Sequence, residues 1–350
     1  VLDLPQMLRQ AITLDNIQAE VAWQQDERNL YVNARQLSLR NRDITSRMLV
    51  DMEIPKDGGA PFISLVGKFN SADGSNAPKY LPAKIMSANA VSWLDRAIVE
   101  GRVPNGGVIF HGKTSDFPFD KGNGIFEVKF DVKEGTLDYA KNWPRMENVS
   151  AEITFRGKSL VINADRGTIF QSRLDNTFVQ IPNLRAKPLL LNVNGDVHGA
   201  TQEKIDYMLS TPPLYKKFAP FFEKVSVTGD SLLHLNINFE LEKGEVNSEV
   251  SGWVQFKDNN ISTDMFGELF EAAQGKVVIL PYGVQAKEIK TKLYGQTSFI
   301  DVDMVLNKST KKPEAVKIAA VGQFDTKNLS KQYLPVLTDL VSGHSHWKVA

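Results

Sequence analysis

The sequence predicts a mainly β protein built on a long antiparallel sheet with a few short helices. Apolar and polar residues alternate with period two along much of the chain, and turns rich in Gly, Asn and Asp separate the alternating runs. Helical periodicity is confined to a few short stretches.

The clearest strand is 126–133. Phe126, Val128, Phe130 and Val132 alternate with Glu127, Lys129, Asp131 and Lys133, so one face is apolar and the other charged. Leu233, Leu235, Ile237 and Phe239 alternate in the same way with His234, Asn236 and Asn238. Segments 299–304 and 316–321 repeat the pattern through Val302, Met304 and Ile318. Weaker versions occur at 20–23, 30–39, 62–69, 108–110, 151–155, 253–256 and 189–193, the last with Leu189, Leu191 and Val193 on one side. One-sided alternation belongs to antiparallel sheets with one covered face, whereas βαβ units give continuous apolar runs and a helix after every strand. More than a dozen strands in succession point to one long curved meander or to a sandwich.

The helices are regularly placed. Pro82 suits the first position of a helix running to about Glu100, with Val91, Leu94 and Ile98 on one face and Gly101 as its stop. Thr201 is placed to cap a second helix, and Pro213 opens a third through Leu214, Phe218, Phe221 and Phe222. Asn328 is placed to cap a last one, ended by Gly343. Their spacing hints at an internal repeat of about 120 residues. The expected organisation is therefore three parts. Residues 1–80 form a β segment with a leading helix, and 81–200 a helix plus β-meander. Residues 201–350 form a second such unit ending in a helix.

Composition narrows the function. The 350 residues carry 41 basic and 41 acidic side chains, so no basic surplus exists for nucleic acid. There is no cysteine, which excludes disulfides and thiolate chemistry and fits the cytoplasm or a bacterial periplasm. No apolar run is long enough to span a bilayer. The chain starts at Val1 without a signal pattern, and is expected to be a piece of something longer.

Motifs for chemistry are weak. Gly229-Asp230-Ser231-Leu232 matches the tetrapeptide of GDSL-type esterases, but Ser231 runs into an alternating strand instead of opening a helix, so a turn between strands is the plainer reading. His344 and His346 lack a carboxylate at ligand spacing and fit a solvent-exposed turn. Asp301 and Asp303 fit the wet side of a strand, and Gly122-Asn123-Gly124 a hairpin-type turn. No motif calls for a catalytic residue, metal or cofactor. The remaining question is what covers the apolar strand faces, since the helices are too few. Pairing two sheets in a sandwich solves this, and so does a groove filled by acyl chains. Periodicity by itself favours the sandwich.

A series of short motifs adds to this. Tyr80-Leu81-Pro82, Ser92-Trp93-Leu94-Asp95-Arg96-Ala97, Gly106-Gly107-Val108-Ile109-Phe110-His111-Gly112, Asp116-Phe117-Pro118-Phe119, Gly135-Thr136-Leu137-Asp138-Tyr139, Asn142-Trp143-Pro144 and Ala151-Glu152-Ile153-Thr154-Phe155 follow one another in order. In this the chain resembles the AsmA-like family of YhdP type, over most of 10–350 and most strongly over 80–185. The resemblance implies a very long periplasmic protein of a Gram-negative bacterium, anchored in the inner membrane by an N-terminal helix and reaching toward the outer membrane. It implies a curled, taco-like sheet with a continuous hydrophobic groove that moves phospholipids between the membranes and supports the outer-membrane barrier. Phospholipid acyl chains are then the expected partners, alongside outer-membrane or periplasmic proteins. The expected groove lining is Phe126, Val128, Phe130, Val132, Leu189, Leu191, Val193, Leu233, Leu235, Ile237, Phe239, Val302, Met304 and Ile318. The family brings no catalytic residue to carry over.

Overall fold

A computed structural model describes every residue except Ser71, Ile85, 243–244, 265–266, Tyr294, 308–312, 326–343 and Ala350. The expected helix from Asn328 lies outside the described residues. Among those described, twenty strands belong to one sheet, and every strand pair with an assigned register is antiparallel. The sandwich expectation called for two sheets; the described strands belong to one. Most strands pair with a sequence neighbour, although β4 pairs with β7, β6 with β8 and β13 with β15; local alternation alone cannot distinguish this from a two-sheet arrangement.

The chain forms two compact units. The first comprises residues 1–169, 176–192 and 240–246, and the second 170–175, 193–239 and 247–350. In order, the elements are β1 (Asn16–Gln25), β2 (Asn29–Arg40), β3 (Thr45–Pro55), β4 (Phe62–Asn70), β5 (Ala72–Asp73), α1 (Ala77–Tyr80), α2 (Ala88–Ala97), β6 (Ile98–Val103), β7 (Gly106–Lys113), β8 (Ile125–Leu137), β9 (Met146–Arg156) and β10 (Ser159–Ile169). They continue with β11 (Ser172–Ile181), β12 (Leu189–Ala200), α3 (Thr201–Ser210), α4 (Pro212–Phe222), β13 (Val225–Thr228), β14 (Asp230–Glu242), β15 (Glu245–Thr263), β16 (Gly267–Leu280), β17 (Gly283–Leu293), β18 (Gln296–Leu306), β19 (Pro313–Asp325) and β20 (His344–Val349). In the first unit the pairing runs β1–β2–β3–β4–β7–β8–β9–β10. In the second, β15–β16–β17–β18–β19–β20 form a continuous ladder.

Several local expectations change. No helix leads the chain: residues 1–15 hold a turn and a Leu2–Ile12 bridge. The helix expected from Pro82 starts at Ala88, because Ser87 supplies the cap, its Oγ accepting from the Ala90 N–H at 3.2 Å. It stops before Ile98, which pairs with Leu137. Gly101 lies inside β6, not at a helix end. Its φ of 151° and the approach of Gly135 Cα to 3.2 Å of where a Cβ would sit explain the glycine. Thr201 is the first residue of α3 and makes no cap bond. Its Oγ1 accepts from Asn259 Nδ2 at 2.8 Å instead. His344 and His346 fall in β20 instead of a turn.

Burial is unusual. The largest fully buried side chains among the described residues are polar: Asn259, Thr211, Thr291 and Ser298. Buried apolar residues are few, and several are alanines. The chain exposes 21903 Å², against roughly 14,000 Å² for a globular monomer of its mass. Much of the apolar strand surface is therefore only half-buried.

Candidate apolar binding face

Directly opposed residues in an antiparallel pair point to the same side. The registers of the first unit therefore assemble apolar rows across its strands. One row reads Trp23, Val32, Met52, Ile63 from β1 to β4. The next reads Val21, Ala34, Val50, Leu65, Phe110, Phe126. A third runs Leu37, Met48, Gly67, Val108, Val128, Phe155, Leu160, and a fourth Leu39, Ser46, Phe69, Gly106, Phe130, Ile153, Ile162. Val132, Ala151 and Ala164 close the set. Apart from Ser46, Gly67 and Ala151, none of these is fully buried, and Trp23 on the edge strand is 74% exposed. Glycines make room for the bulkiest members. A Cβ on Gly106 would lie 2.3 Å from the Phe69 ring and 2.8 Å from Phe130 Cβ.

The second unit repeats the pattern. Val254, Val277, Ala286, Val302 and Ile318 stand opposite one another in register, and so do Gly252, Ile279, Val284, Met304 and Val316. In β14, His234 stacks on Trp253 at 5.5 Å and its Nδ1 lies 2.7 Å from Asp196 Oδ1. Alternation then turns Leu233, Leu235, Ile237 and Phe239 to the other side, and likewise Val193 of β12. Leu189 and Leu191, earlier in β12, belong to the first unit.

Bulges keep these rows apolar. In β17, Val284 and Ala286 oppose Met304 and Val302, and after a register shift Ile289 opposes Ile300. The extra residue, Glu288, has a φ of 53°. Gln36, Glu134, Asn148, Asp258 and Ala272 sit at five further shifts, each also with positive φ. Each bulge bends and twists its strand. Fixed-parity reading from sequence fails beyond these points.

The opposite side is polar and cross-linked. Arg156 pairs with Glu127 at 2.5 Å, Lys129 with Glu152 at 2.7 Å, and Asn29 Nδ2 donates to Glu53 at 2.8 Å. The Glu152 hydrogen bond raises the Lys129 pKa, and the Glu288 backbone N–H, donating at 2.8 Å, lowers that of Asp301. Asp301 and Asp303 lie on this side, opposite Ala319 and Lys317.

One end of the first unit's apolar face is filled by its own chain. Residues 114–124, which join β7 to β8, fold back so that Phe117 and Phe119 meet Phe126 and Phe110 at 5.2 and 5.3 Å. Phe119 is buried against Gly112 and Gly124, where a Cβ would lie 2.6 and 2.3 Å from its ring. Of the expected lining, Phe126 is thus packed by protein, while Val128, Phe130 and Val132 stay half-buried in the rows. Phe117 and Phe119 were legible only as part of a motif, since a loop has no periodicity to read. Alternation is legible at 30–39 and 62–69, but residues of β2, β3 and β4 are absent from the expected lining, because their apolar positions are mixed with Ala, Ser and Met.

The GDSL-like tetrapeptide does not have the setting of an esterase serine. Ser231 lies in β14, buried and without a hydrogen-bond partner for Oγ, and the strand–turn–helix setting of a GDSL serine is missing. Among the described residues no cluster of His, Asp or Glu is arranged to hold a metal, and no helix is long and apolar enough to cross a membrane.

The YhdP protein family model matches residues 1–350. The chain belongs to the YhdP protein family. It is 20% identical over 295 residues to the Escherichia coli (strain K12) protein named intermembrane phospholipid transporter YhdP, a match covering 84% of this chain and 23% of that protein. The chain thus spans less than a quarter of its relative's length. No solved structure matches it.

Proposed function

We propose that this chain is one segment of a periplasmic bridge that carries phospholipids between inner and outer membranes, its apolar sheet face holding acyl chains. The observation that carries the proposal is the set of apolar rows crossing eight strands of the first unit, most of whose members are half-buried or exposed. The relative's name as an intermembrane phospholipid transporter supports it. Each methylene taken out of water gains about 0.8 kcal/mol, so even a partly covered chain is held firmly. A headgroup stays in water at the margin of the face. Rows of similar Val, Ile, Leu and Phe positions give many near-equal sites, and near-equal sites permit sliding. No step of chemistry is needed, so the segment acts as a non-enzymatic conduit. The parent protein would reach the inner membrane through an N-terminal anchor, meet outer-membrane or periplasmic partners, and support the outer-membrane barrier.

The test is mass spectrometry of an organic extract from protein purified without detergent out of a Gram-negative host. Stoichiometric phospholipid is expected, depleted in Val128→Asp/Phe130→Asp with the β signal retained in circular dichroism. Lipid-free wild-type protein would overturn the proposal in favour of a dry structural spacer of the cell envelope.

A further inference from the structure

The polar side of the first unit carries a cluster of exposed apolar residues. Leu49 in β3, Val66 in β4 and Ile109 in β7 stand directly opposite one another and are 56%, 51% and 38% exposed. Ile125, 53% exposed, adjoins them opposite His111. Neighbouring positions on this side are Asp51, Ser64, His111 and Glu127, as a solvated face requires. In the next row Arg47 and Lys68 face each other, both exposed and neither paired with a carboxylate among the described residues. Like charges directly opposed destabilise a sheet. Cross-strand packing of β-branched residues would account for the apolar row, but not for the bare basic pair beside it.

We propose that this ridge docks an amphipathic helix of a partner protein, with apolar residues on Leu49, Val66 and Ile109 and acidic residues on Arg47 and Lys68. Strands are about 4.8 Å apart, and helical residues three or four apart are separated by about 5–6 Å. A helix lying across the strands therefore places one apolar side chain over each of the three strands. Its acidic flank meets the basic pair. The surface is on the side of the sheet opposite the apolar rows, so it is independent of acyl-chain binding.

The probe is a fluorescein-labelled peptide of about 18 residues with Leu at helical three- and four-residue spacing and Glu along one flank. It is titrated against the whole 350-residue chain by fluorescence anisotropy. Saturable binding is expected, weakened at least tenfold by Leu49→Ser/Val66→Ser and by Arg47→Glu/Lys68→Glu. A peptide with Lys replacing Glu should prefer the charge-reversed protein. Val128→Asp, on the other side, should leave binding unchanged. No saturable binding, binding indifferent to these four residues, or binding lost in Val128→Asp overturns the proposal. So do two other results that would assign the patch elsewhere: self-association in sedimentation equilibrium abolished by Leu49→Ser/Val66→Ser, or binding of phosphatidylglycerol vesicles through these residues without peptide binding.

Discussion

Replacing Val128 with Asp asks whether the apolar rows are an open face or a sealed core. Val128 is half-buried, opposite Val108 on one side and Phe155 on the other. If the face is open, the new carboxylate keeps its water and the loss is limited to two cross-strand contacts at 0.2–1 kcal/mol each plus strand propensity. That amounts to about 1–2 kcal/mol. If the side chain were sealed under a second layer, the substitution would bury an unpaired charge, and the loss would exceed about 4 kcal/mol. Urea denaturation followed by circular dichroism measures the difference, on delipidated protein because bound lipid would stabilise wild type by mass action. The expected result is a modest midpoint shift at unchanged slope. A loss above about 4 kcal/mol, or failure to fold, would refute the open face.

Gly106→Ala should cost about 1–3 kcal/mol by overpacking Phe69 and Phe130, whereas Gly107→Ala, whose Cβ would meet only Gly67 O at 3.4 Å, should be nearly neutral; thermal denaturation compares the two. Phe119→Ala should cost about 3 kcal/mol and speed amide exchange across 114–124, since that ring alone fills the space over Gly112 and Gly124. Asp26 accepts from the backbone N–H of Asn29 and Arg28 at 2.6 and 2.7 Å, which lowers its pKa. Its contribution to the β1–β2 turn is therefore present above the ordinary carboxylate value and is lost as pH falls through the depressed one. Asp26→Ala should accordingly destabilise at pH 7 and converge with wild type in acid, as read from urea midpoints at both ends.

Alternation in the sequence determined that Phe126 to Val132 form a strand and that Phe126, Val128, Phe130 and Val132 face one way. These are local properties, because side-chain direction follows from backbone pleat. The composition also excluded thiol chemistry and a phosphate-binding charge. The motif series from Tyr80 to Phe155 pointed to the family. Only the tertiary structure decided that the apolar faces join in one sheet, since a hairpin ladder and a two-sheet sandwich use identical strands and differ in long-range pairing. It also decided where Glu288, Gln36 and Glu134 interrupt the alternation, because a bulge depends on a partner strand that a single strand's sequence does not contain. The fold-back of Phe117 and Phe119 onto Phe110 and Phe126 was likewise invisible in the sequence. A loop carries no period, and its position was set by the space that Gly112 and Gly124 leave open.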